Sequence, residues 1–461
     1  MSRNVAVIIL DSVRKDFFDQ RASQIKSLVD VSVDRAYAPS SWSTPSHASM
    51  FTGELPSDHG VHTYQRSFKN IQYPLFHSGL PHQSLGVSAN IFAGGSHDFD
   101  ESFDAFRDIG SACRYPRGID LEEFDLRSGS YSNYLRFLTT MLSEPNTVES
   151  MKNVAEALLH TQWKRIPGPK LVDDSGRAVC RTAEHELLGI DEPWFLFVNF
   201  MDAHVPLQHF IGLNGSDHGA AWSWCSDQYD MWDLTTNNHP DYWSIRKSVY
   251  GAYLDYLDRL ITQFVSSLLE STGSPTTVVV TADHGENHGE QSAGGMANHK
   301  SSLSEQLLHV PFEIINAPEL YTEPMAPFTL LDLPEMVGDF VDGRCRVPTR
   351  EVVPAEVMGM SAGPEPPEGL DSEYYNRTIR AAYRGNVKFV WDSLGNVERY
   401  EIDPSVPSEQ TLSAEDVPLP EWAERQFSVG IDEARRNACA NREEYTVSRS
   451  VESRLERLGY K

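Results

Sequence analysis

Residues 5–10 (VAVIIL) form a continuous apolar run that ends in Asp11. A strand that is buried on both faces of a parallel sheet has this character, without alternating polar positions. Residues 276–282 (TTVVVTA) repeat the pattern and are followed by Asp283 and His284. Open α/β sheets bind their ligands at the carboxyl ends of the strands. The two runs therefore predict a mainly parallel sheet with ligand-binding side chains at one edge.

Further elements fit an α/β domain with helices on both faces of the sheet. Strands are also predicted at Ser84–Ala89, Trp194–Phe200 and Val310–Ile315. Between Asp241 and Leu269, apolar side chains recur at a spacing near 3.6, which predicts a long amphipathic helix packed on the core. This helix leads directly into the strand that precedes Asp283.

The sequence of the last quarter of the chain indicates a second, smaller subdomain. We expect a catalytic domain over residues 1–350 and a C-terminal α+β subdomain over residues 351–461. Residues 316–327 and 354–371 are rich in proline and polar residues and are predicted to be linkers or an excursion. The other predicted elements are antiparallel strands within Thr378–Trp391 and Asn396–Ile402 and a terminal amphipathic helix at Arg442–Leu458.

Residues 41–53 (SWSTPSHASMFTG) predict a short helix with a hydroxyl at its amino end. Pro45 suits the first helical position, and Gly53 suits a left-handed stop. Ser43 would then lie where free backbone N–H groups and the helix dipole favour an anion or an alkoxide. A plain N-cap role for Ser43 is the alternative.

The side chains at the two strand ends favour a nucleophilic role for Ser43 over an N-cap role. Carboxylates of Asp11 and Asp283 and the imidazole of His284 are suitable ligands for a divalent cation. Either strand end alone is a weak signal, because an aspartate there often caps the next helix. Both ends together with Ser43 predict a metal site.

The order of motifs along the chain resembles the sulfatase family of the alkaline phosphatase superfamily. The likeness covers nearly the whole chain, and the ordered set is far more specific than any single motif. It rests on Leu10-Asp11-x-x-Arg14-x-Asp16, Ser43-x-Pro45-Ser46-x-Ala48-Ser49-x-x-Thr52-Gly53 with His59-Gly60, Asp202-Ala203-His204-x-Pro206, Thr281-Ala282-Asp283-His284-Gly285-Glu286, Leu303-Ser304-Glu305, Gly385–Trp391 and Tyr400–Pro404.

This resemblance implies an alkaline phosphatase-like α/β fold, with a smaller C-terminal antiparallel sheet, and a metal-dependent hydrolase of sulfate esters. It implies one divalent ion (Ca²⁺, Mg²⁺, Mn²⁺ or Zn²⁺) on Asp11, Ser43, Asp283 and His284. The implied catalytic residues are Ser43, His204, His299 and Lys300, and the implied substrate-binding residues are His47, His204 and Lys300. Asp202, Asn90 and His59 are weaker candidates that suit supporting or structural roles.

Two positions depart from the family pattern. Most sulfatases carry Cys or Ser in a Cys/Ser-x-Pro-x-Arg motif, whose first residue is oxidised to formylglycine by machinery that reads the arginine. His47 stands at the arginine position here. An unconverted Ser43 would act as a plain hydroxyl nucleophile, as the threonine does in phosphoglycerol and phosphoethanolamine transferases. Ser12 stands where many calcium-dependent sulfatases have another aspartate.

Three functions stay open at this point. The first is hydrolysis of a sulfate ester by Ser43 or its formylglycine form. The second is phosphodiester, phosphonate or phosphate ester hydrolysis, or phosphoryl transfer, by unmodified Ser43. The third is a non-catalytic protein that binds anions or glycans. Aromatic residues crowd residues 209–243 and would either stack on sugar rings or pack on the core: Trp222, Trp224, Tyr229, Trp232, Tyr242 and Trp243.

Composition limits the partners. The formal net charge of −27 disfavours nucleic acid and anionic membranes, and the expected partner is a small or carbohydrate ester. Only ten of the 39 basic residues are lysine, which suggests a salt-adapted protein. We expect a cytoplasmic location, because the first strand leaves no room for a signal peptide and no apolar run is long enough to span a membrane. The five cysteines are scattered, as is typical of a reduced protein.

Overall fold

The computed structural model describes residues 3–110, 114–119, 124, 131–143, 146–163, 173, 175–190, 193–213, 219–320, 327–361 and 364–442. The predicted helix Arg442–Leu458 and Cys113 lie outside these ranges, apart from Arg442 itself. Within them, no helix combines the length and the apolar character that crossing a bilayer requires. The four cysteines in these ranges are free thiols.

A seven-stranded sheet forms the centre of the molecule, and its strand order is β2-β7-β6-β1-β5-β3-β4. The sequence predicted five of these strands to within one or two residues. The strands are β1 (Asn4–Leu10), β2 (Val29–Ser32), β3 (Gln83–Ser88), β4 (Ala105–Asp108), β5 (Trp194–Phe200), β6 (Thr276–Thr281) and β7 (Phe312–Ile315).

The five strands β6, β1, β5, β3 and β4 run parallel. Strand β7 is antiparallel to β6, with Phe312 opposite Thr281. Because these two strands are antiparallel, the connection over residues 282–311 begins and ends at the edge of the sheet where β6 has its carboxyl end. The apolar runs of β1, β5 and β6 are buried along their whole length, as expected for central parallel strands.

Helices cover both faces of the sheet. The predicted long helix is α9, which runs from Pro240 to Ser271 and buries one apolar stripe. The helices are α1 (Lys15–Arg21), α2 (Ser23–Lys26), α3 (Ser43–Thr52), α4 (Pro56–His59), α5 (Tyr131–Ser143), α6 (Thr147–Trp163), α7 (Gly176–Leu187), α8 (Met231–Thr236), α9, α10 (Glu305–Leu308), α11 (Leu333–Val341), α12 (Ser372–Tyr375), α13 (Glu421–Glu424) and α14 (Ile431–Ala440).

A second, five-stranded antiparallel sheet lies in the C-terminal part, as the family resemblance implies. Its strands, in spatial and chain order, are β8 (Val353–Met358), β9 (Thr378–Arg384), β10 (Val387–Asp392), β11 (Val397–Glu401) and β12 (Thr411–Glu415). The prediction of a linker over residues 354–371 was wrong at its start. Residues 353–358 form a buried edge strand, where Pro354 is tolerated because an edge position needs fewer backbone donors.

Short two-residue strands complete the structure. Within the predicted loop 316–327, Glu319–Leu320 pairs with Arg344–Cys345, and residues 321–326 lie outside the described ranges. The main hydrophobic core includes Val353 and Tyr383 from the second sheet together with β1 and β6. The division at residue 350 stays a prediction, but one continuous core joins the two sheets.

Candidate active site

The carboxyl ends of four adjacent strands meet at one edge of the large sheet. Asp11 follows β1 directly, Asp283 follows β6, Asn90 follows β3, and His204 follows β5. Parallel pairing of these strands places their carboxyl ends side by side. Polar groups that are distant in the chain therefore converge, as the sequence predicted for Asp11 and Asp283.

Helix α3 points its amino end into this edge. Ser43 is its first residue, and Gly53 ends it in the left-handed conformation with a φ of 81°. Pro45 is the third helical residue rather than the predicted first. This position costs nothing, because the first N–H groups of a helix have no intrahelical acceptor. The Ser43 side chain thus lies at the positive end of a ten-residue helix.

Asp11 binds the serine directly. Its Oδ2 accepts hydrogen bonds from Ser43 Oγ at 2.9 Å and from Asn90 Nδ2 at 2.6 Å. Its Oδ1 accepts a hydrogen bond from Ser12 Oγ at 2.8 Å. Burial opposes ionisation of Asp11, but the nearby histidines and the hydrogen bond from Ser12 together outweigh it and lower the pKa of Asp11. Ser12, which departs from the family pattern, therefore supports Asp11.

Asp283 has a carboxylate oxygen that fits a cation. Its Oδ1 accepts from the backbone N–H of His284 at 2.9 Å, whereas its Oδ2 is buried and has no hydrogen-bond partner among the described residues. Burial and the neighbouring charge of Asp11 raise the pKa of Asp283 to about 8. Two buried carboxylates this close are costly unless a positive charge lies between them. The donor set therefore fits a divalent cation.

His284 is oriented to complete that donor set. Its Nδ1–H donates to the carbonyl oxygen of Gly285 at 2.8 Å, so the lone pair lies on Nε2. That Nε2 is 3.4 Å from Ser43 Oγ and 3.5 Å from Asp283 Oδ2. Ligand atoms of Asp11, Asp283 and His284 all lie within 4.8 Å of one another. The structure thus brings the four predicted metal ligands together.

His47 has a different environment from the one predicted. Its Nδ1–H donates to the carbonyl oxygen of Ser43 at 2.8 Å, and its Nε2 accepts from Asn199 Nδ2 at 3.2 Å. The ring is fully buried, and its Nδ1 is 3.6 Å from Asp283 Oδ2. Both nitrogens therefore have protein partners. Contact between His47 and the substrate anion stays a prediction that this geometry does not support.

His204 and His299 lie beside the metal ligands. The His204 ring centroid is 5.5 Å from that of His299, which is 4.8 Å from that of His284. The Nδ1 of His299 is 3.6 Å from Glu286 Oε1. Burial, together with the neighbouring histidines, holds the pKa of His299 well below its usual value. His299 is therefore a neutral imidazole at neutral pH.

Lys300 is a buried amine. Only 5% of the residue is exposed, and Nζ has no hydrogen-bond partner among the described residues. The ammonium lies 5.9 Å from the ring centroid of Trp232. Burial lowers the pKa of Lys300 to about 7, and the nearby Arg66 acts in the same direction. Lys300 therefore exchanges its proton in the range where a general acid is effective.

The weaker candidates separate into two groups. Asn90 binds Asp11 and so belongs to the site. Asp202 Oδ1 accepts from the backbone N–H of Gly176 at 3.2 Å, at the amino end of α7. His59 bonds Ser49 Oγ through Nε2 and accepts from the N–H of Val61. Asp202 and His59 therefore have structural partners.

Sequence reasoning assigned no role to three residues of the site. Asn199 holds His47, and Glu286 lies between His299 and Arg246, whose Nη2 is 3.5 Å from Glu286 Oε2. A signal existed for each. Asn199 interrupts the apolar strand β5, Glu286 ends a family motif, and Arg246 lies four residues before Tyr250 on the buried face of α9.

Comparison with known proteins gives a family model and several solved structures. The model described as Sulfatase matches residues 3–322. A phosphonate monoester hydrolase of Agrobacterium radiobacter has a TM-score of 0.56 and 14% identity, covering 87% of this chain and 89% of that chain. A comparison with curated protein sequences gave no match.

Two further structures carry the same fold. A 2-O GAG sulfatase has a TM-score of 0.50 and 14% identity, with coverage of 87% of this chain and 85% of that chain. A protein in complex with its substrate D-glucosamine-2-N,6-O-disulfate has a TM-score of 0.53 and 13% identity, with coverage of 87% and 91%. At these identities the likeness establishes the alkaline phosphatase-like architecture.

Proposed function

The chain belongs to the sulfatase family, and on that premise we propose that it is a metal-dependent hydrolase of sulfate esters. Ser43, or its formylglycine form, is the nucleophile. One observation carries the proposal: the Ser43 hydroxyl lies at a helix amino end, hydrogen-bonded to Asp11 and next to His284. A buried, unpartnered oxygen of Asp283 adjoins this arrangement.

In the serine form, the chain's own groups move the protons of the first step. Ser43 Oγ attacks sulfur and passes its proton to Asp11 Oδ2, which already accepts that hydrogen bond. Asp11, Ser43, Asp283 and His284 would hold the cation. A divalent ion supplies charge that lowers the pKa of a hydroxyl and neutralises ester oxygens.

Departure of the alcohol requires a proton donor. As the sulfur–oxygen bond to the leaving group breaks, Lys300 donates a proton to that oxygen, and His204 contacts the transferred sulfuryl group. Such a donor contributes about 10²–10⁴-fold to the rate. Water then attacks the sulfur of the ester on Ser43 and gives a proton to the neutral Lys300. Asp11 returns its proton to Ser43 Oγ as the sulfur–oxygen bond to Ser43 breaks, which releases hydrogen sulfate and restores both groups. His299, being neutral, would assist as a hydrogen-bond partner rather than as the acid.

A substrate panel tests the proposal. The purified protein would be assayed on aryl sulfate, phosphate monoester, phosphodiester and phosphonate, each with Ca²⁺, Mg²⁺, Mn²⁺ or Zn²⁺ added. We expect the highest kcat/KM on a sulfate ester. Turnover of phosphorus esters alone would contradict this expectation and support the second candidate. An absence of turnover on every ester would reject both.

The second candidate is hydrolysis or transfer of a phosphoryl or phosphonyl group by unmodified Ser43. The observation that favours it is His47, which occupies the position of the arginine that formylglycine formation requires and is itself buried in hydrogen bonds. Mass spectrometry of the peptide containing Ser43 separates the forms. Formylglycine favours sulfate hydrolysis, whereas intact serine favours phosphoryl chemistry.

Lys300→Met is expected to change the pH dependence of kcat/KM. In the native enzyme kcat/KM falls as pH rises through about 7, because Lys300 must be protonated to donate to the leaving group. The variant loses this basic limb and about 10²–10⁴-fold of kcat/KM on poor leaving groups. Lys247→Met, which removes a half-exposed lysine paired with Glu290, serves as control. A limb that persists in Lys300→Met would assign it to another group.

The aromatic segment 209–243 divides into buried and exposed rings. Trp224, Trp232, Tyr242 and Trp243 are buried, whereas 60% of Trp222 is exposed. Packing therefore accounts for most of these rings, and Trp222 is the candidate for stacking on a sugar. The solved relative with a glucosamine disulfate makes a carbohydrate sulfate a reasonable substrate class.

Alanine substitution at two tryptophans tests that assignment. Trp224→Ala is expected to lower the free energy of unfolding by about 3–5 kcal/mol, because it empties a buried site. Trp222→Ala is expected to leave stability nearly unchanged and to raise KM for a sulfated oligosaccharide but not for a small aryl sulfate. Denaturant unfolding and steady-state kinetics give both values. Equal loss on both substrates would favour packing for Trp222.

Cytoplasmic location and salt adaptation are also proposals. The salt adaptation rests on the net charge of −27 and the scarcity of lysine, and the location rests on the scattered cysteines, which are typical of a reduced compartment. Activity that persists in molar KCl would support salt adaptation, and strong inhibition by molar salt would count against it.

A further inference from the structure

The segment that carries His299 and Lys300 continues into a buried ionic cluster with the second sheet. Glu305, the first residue of α10, and Lys388, on β10, are both fully buried. Lys388 Nζ is 3.2 Å from Glu305 Oε1. Tyr383, opposite Lys388 on the neighbouring strand, donates from its hydroxyl to Glu305 Oε1 at 2.5 Å. We define this set of three residues as the Lys388 cluster.

The ammonium group of Lys388 donates three hydrogen bonds, two of them to the segment that follows His299 and Lys300. Besides Glu305, it donates to the carbonyl oxygen of Leu303 at 2.5 Å and to Gln410 Oε1 at 2.9 Å. Gln410 Oε1 also accepts a hydrogen bond from the backbone N–H of Glu305 at 3.2 Å. The ammonium therefore fixes the backbone three residues after Lys300 and the side chain five residues after it.

The opposite side of this segment is held by the metal-binding strand end. The backbone N–H of Gly285 donates to the carbonyl oxygen of Leu307 at 2.8 Å, and Ser304 Oγ donates to Asn287 Oδ1 at 2.8 Å. Ser301 Oγ also donates to the carbonyl oxygen of Tyr375, just ahead of β9. The segment 299–308 is thus clamped between the strand that bears Asp283 and the second sheet.

Burying a lysine ammonium costs free energy of hydration, so the Lys388–Glu305 pair is a poor means of stabilising a sheet. An ion pair of this kind contributes little stability over apolar residues of similar size, because both ions lose their hydration. Its directed bonds do fix geometry, and a displacement of about 1 Å near a reacting group can cost 10²-fold in rate. The bonds of Lys388 therefore fix the position of the segment that follows Lys300 more closely than apolar packing would.

From this geometry we infer that Lys388, although it lies in the second sheet, is a positioning residue that holds Lys300 against the leaving group of the substrate. The inference deepens the proposed function and rests on it for its catalytic part. Lys388 touches no reacting atom and acts through Leu303 and Glu305. The second sheet is then required for proton donation to poor leaving groups, beyond its contribution to the core.

The test uses a charge-neutral double variant of the full-length protein. Lys388→Met alone would leave Glu305 as an unpaired buried charge and could prevent folding. Lys388→Met/Glu305→Gln removes both charges together and still lacks the bond to Leu303. The control is Arg114→Met/Asp173→Asn, which removes another buried ion pair that also has a tyrosine partner, Tyr256, far along the chain.

Hydrogen exchange measures the positioning itself, whether or not a substrate is known. Peptides covering residues 297–308 are expected to exchange about tenfold faster in the Lys388→Met/Glu305→Gln variant, while peptides from β1 keep their native rate. The control variant is expected to leave residues 297–308 unchanged. Unaltered exchange there, or an equal increase in β1, would overturn the inference even for an enzyme without a known ester.

Leaving-group dependence measures the catalytic consequence. On esters of phenol, the double variant is expected to lose about 10- to 100-fold in kcat/KM, against less than about threefold on 4-nitrophenyl esters that need little protonation. Adding the double substitution to Lys300→Met should change this ratio no further. Equal loss on both esters would make the cluster merely structural. If the native protein turns over no ester, the proposed function fails, whereas the exchange result still decides the positioning.

Discussion

Replacing Ser43 by alanine is expected to abolish ester hydrolysis, with kcat lowered by about 10⁴-fold or more. Among the described hydroxyl groups, only that of Ser43 lies within hydrogen-bond distance of both Asp11 and His284. The fold should tolerate the change, since a typical single hydrogen bond contributes about 1 kcal/mol. Steady-state kinetics on the best ester of the panel and thermal unfolding give the two quantities.

Two variants sharpen the serine experiment. Ser41→Ala removes a nearby buried hydroxyl that has no hydrogen-bond partner in the part of the chain that the structure describes, and it is expected to keep native activity. Ser43→Thr keeps a hydroxyl but cannot be oxidised to formylglycine. Residual turnover by Ser43→Thr supports a plain hydroxyl nucleophile, whereas complete loss supports the formylglycine form. If Ser43→Ala retained more than about a hundredth of native kcat, Ser43 would not be the nucleophile.

Asp283→Asn is expected to remove the bound cation and the activity together. The change removes one of the two carboxylates that are proposed to hold the cation, and even loss of a group that only orients a metal ligand costs 10- to 100-fold in affinity. We therefore expect at least a hundredfold weaker metal binding and no turnover at micromolar metal. Elemental analysis after dialysis and activity against added metal measure these effects.

Stability gives an independent measurement of the same site. A cation at 100 times its Kd stabilises the native protein by about 2.7 kcal/mol, and this increment disappears in EDTA. Asp283→Asn should show no EDTA effect. Asp258→Asn, which removes a buried acid that accepts from the backbone N–H of Ile25, should lose stability while keeping the EDTA effect.

The metal-free native protein is also expected to lose stability as pH rises. The pKa of Asp283 is higher in the folded protein, at about 8, than in the unfolded chain. A carboxyl group of this kind stabilises the fold while protonated, so the contribution is complete below pH 4 and is lost as pH passes about 8. In EDTA at pH 9, Asp283→Asn should therefore be at least as stable as the native protein. A native protein that is the more stable one there would contradict the carboxylate pair.

Local sequence was sufficient for the parts of this protein whose physics is local. Apolar runs at residues 5–10 and 276–282 became fully buried parallel strands, and the 3.6-residue spacing after Asp241 became α9. Gly53 ended α3 in the left-handed conformation, as its lack of a side chain favours. The acids Asp11 and Asp283 met because parallel strands deliver their carboxyl ends to one edge.

Other features depended on contacts that local patterns do not encode. Residues 354–358 were predicted to begin a linker because the stretch 354–371 is acidic and rich in proline, yet Glu356 is buried against Arg380, 2.7 Å away across the sheet. The family motif predicted that His47 contacts the substrate, but Nε2 of His47 accepts a hydrogen bond from Asn199 on β5. In both cases a partner more than twenty residues away satisfied a buried polar group.

What the sequence alone determined was the family, the strand-end acids and the hydroxyl at the helix start, because each follows from residue type, spacing and backbone preference. Only the tertiary structure decided how the hydrogen bonds of the site are distributed: Asn90 on Asp11, an open oxygen on Asp283, and the second sheet's Lys388 on the segment after Lys300. Buried polar groups must find partners wherever the fold brings them. Which partner a buried polar group finds depends on residues from distant parts of the chain and cannot be read from any single stretch of it.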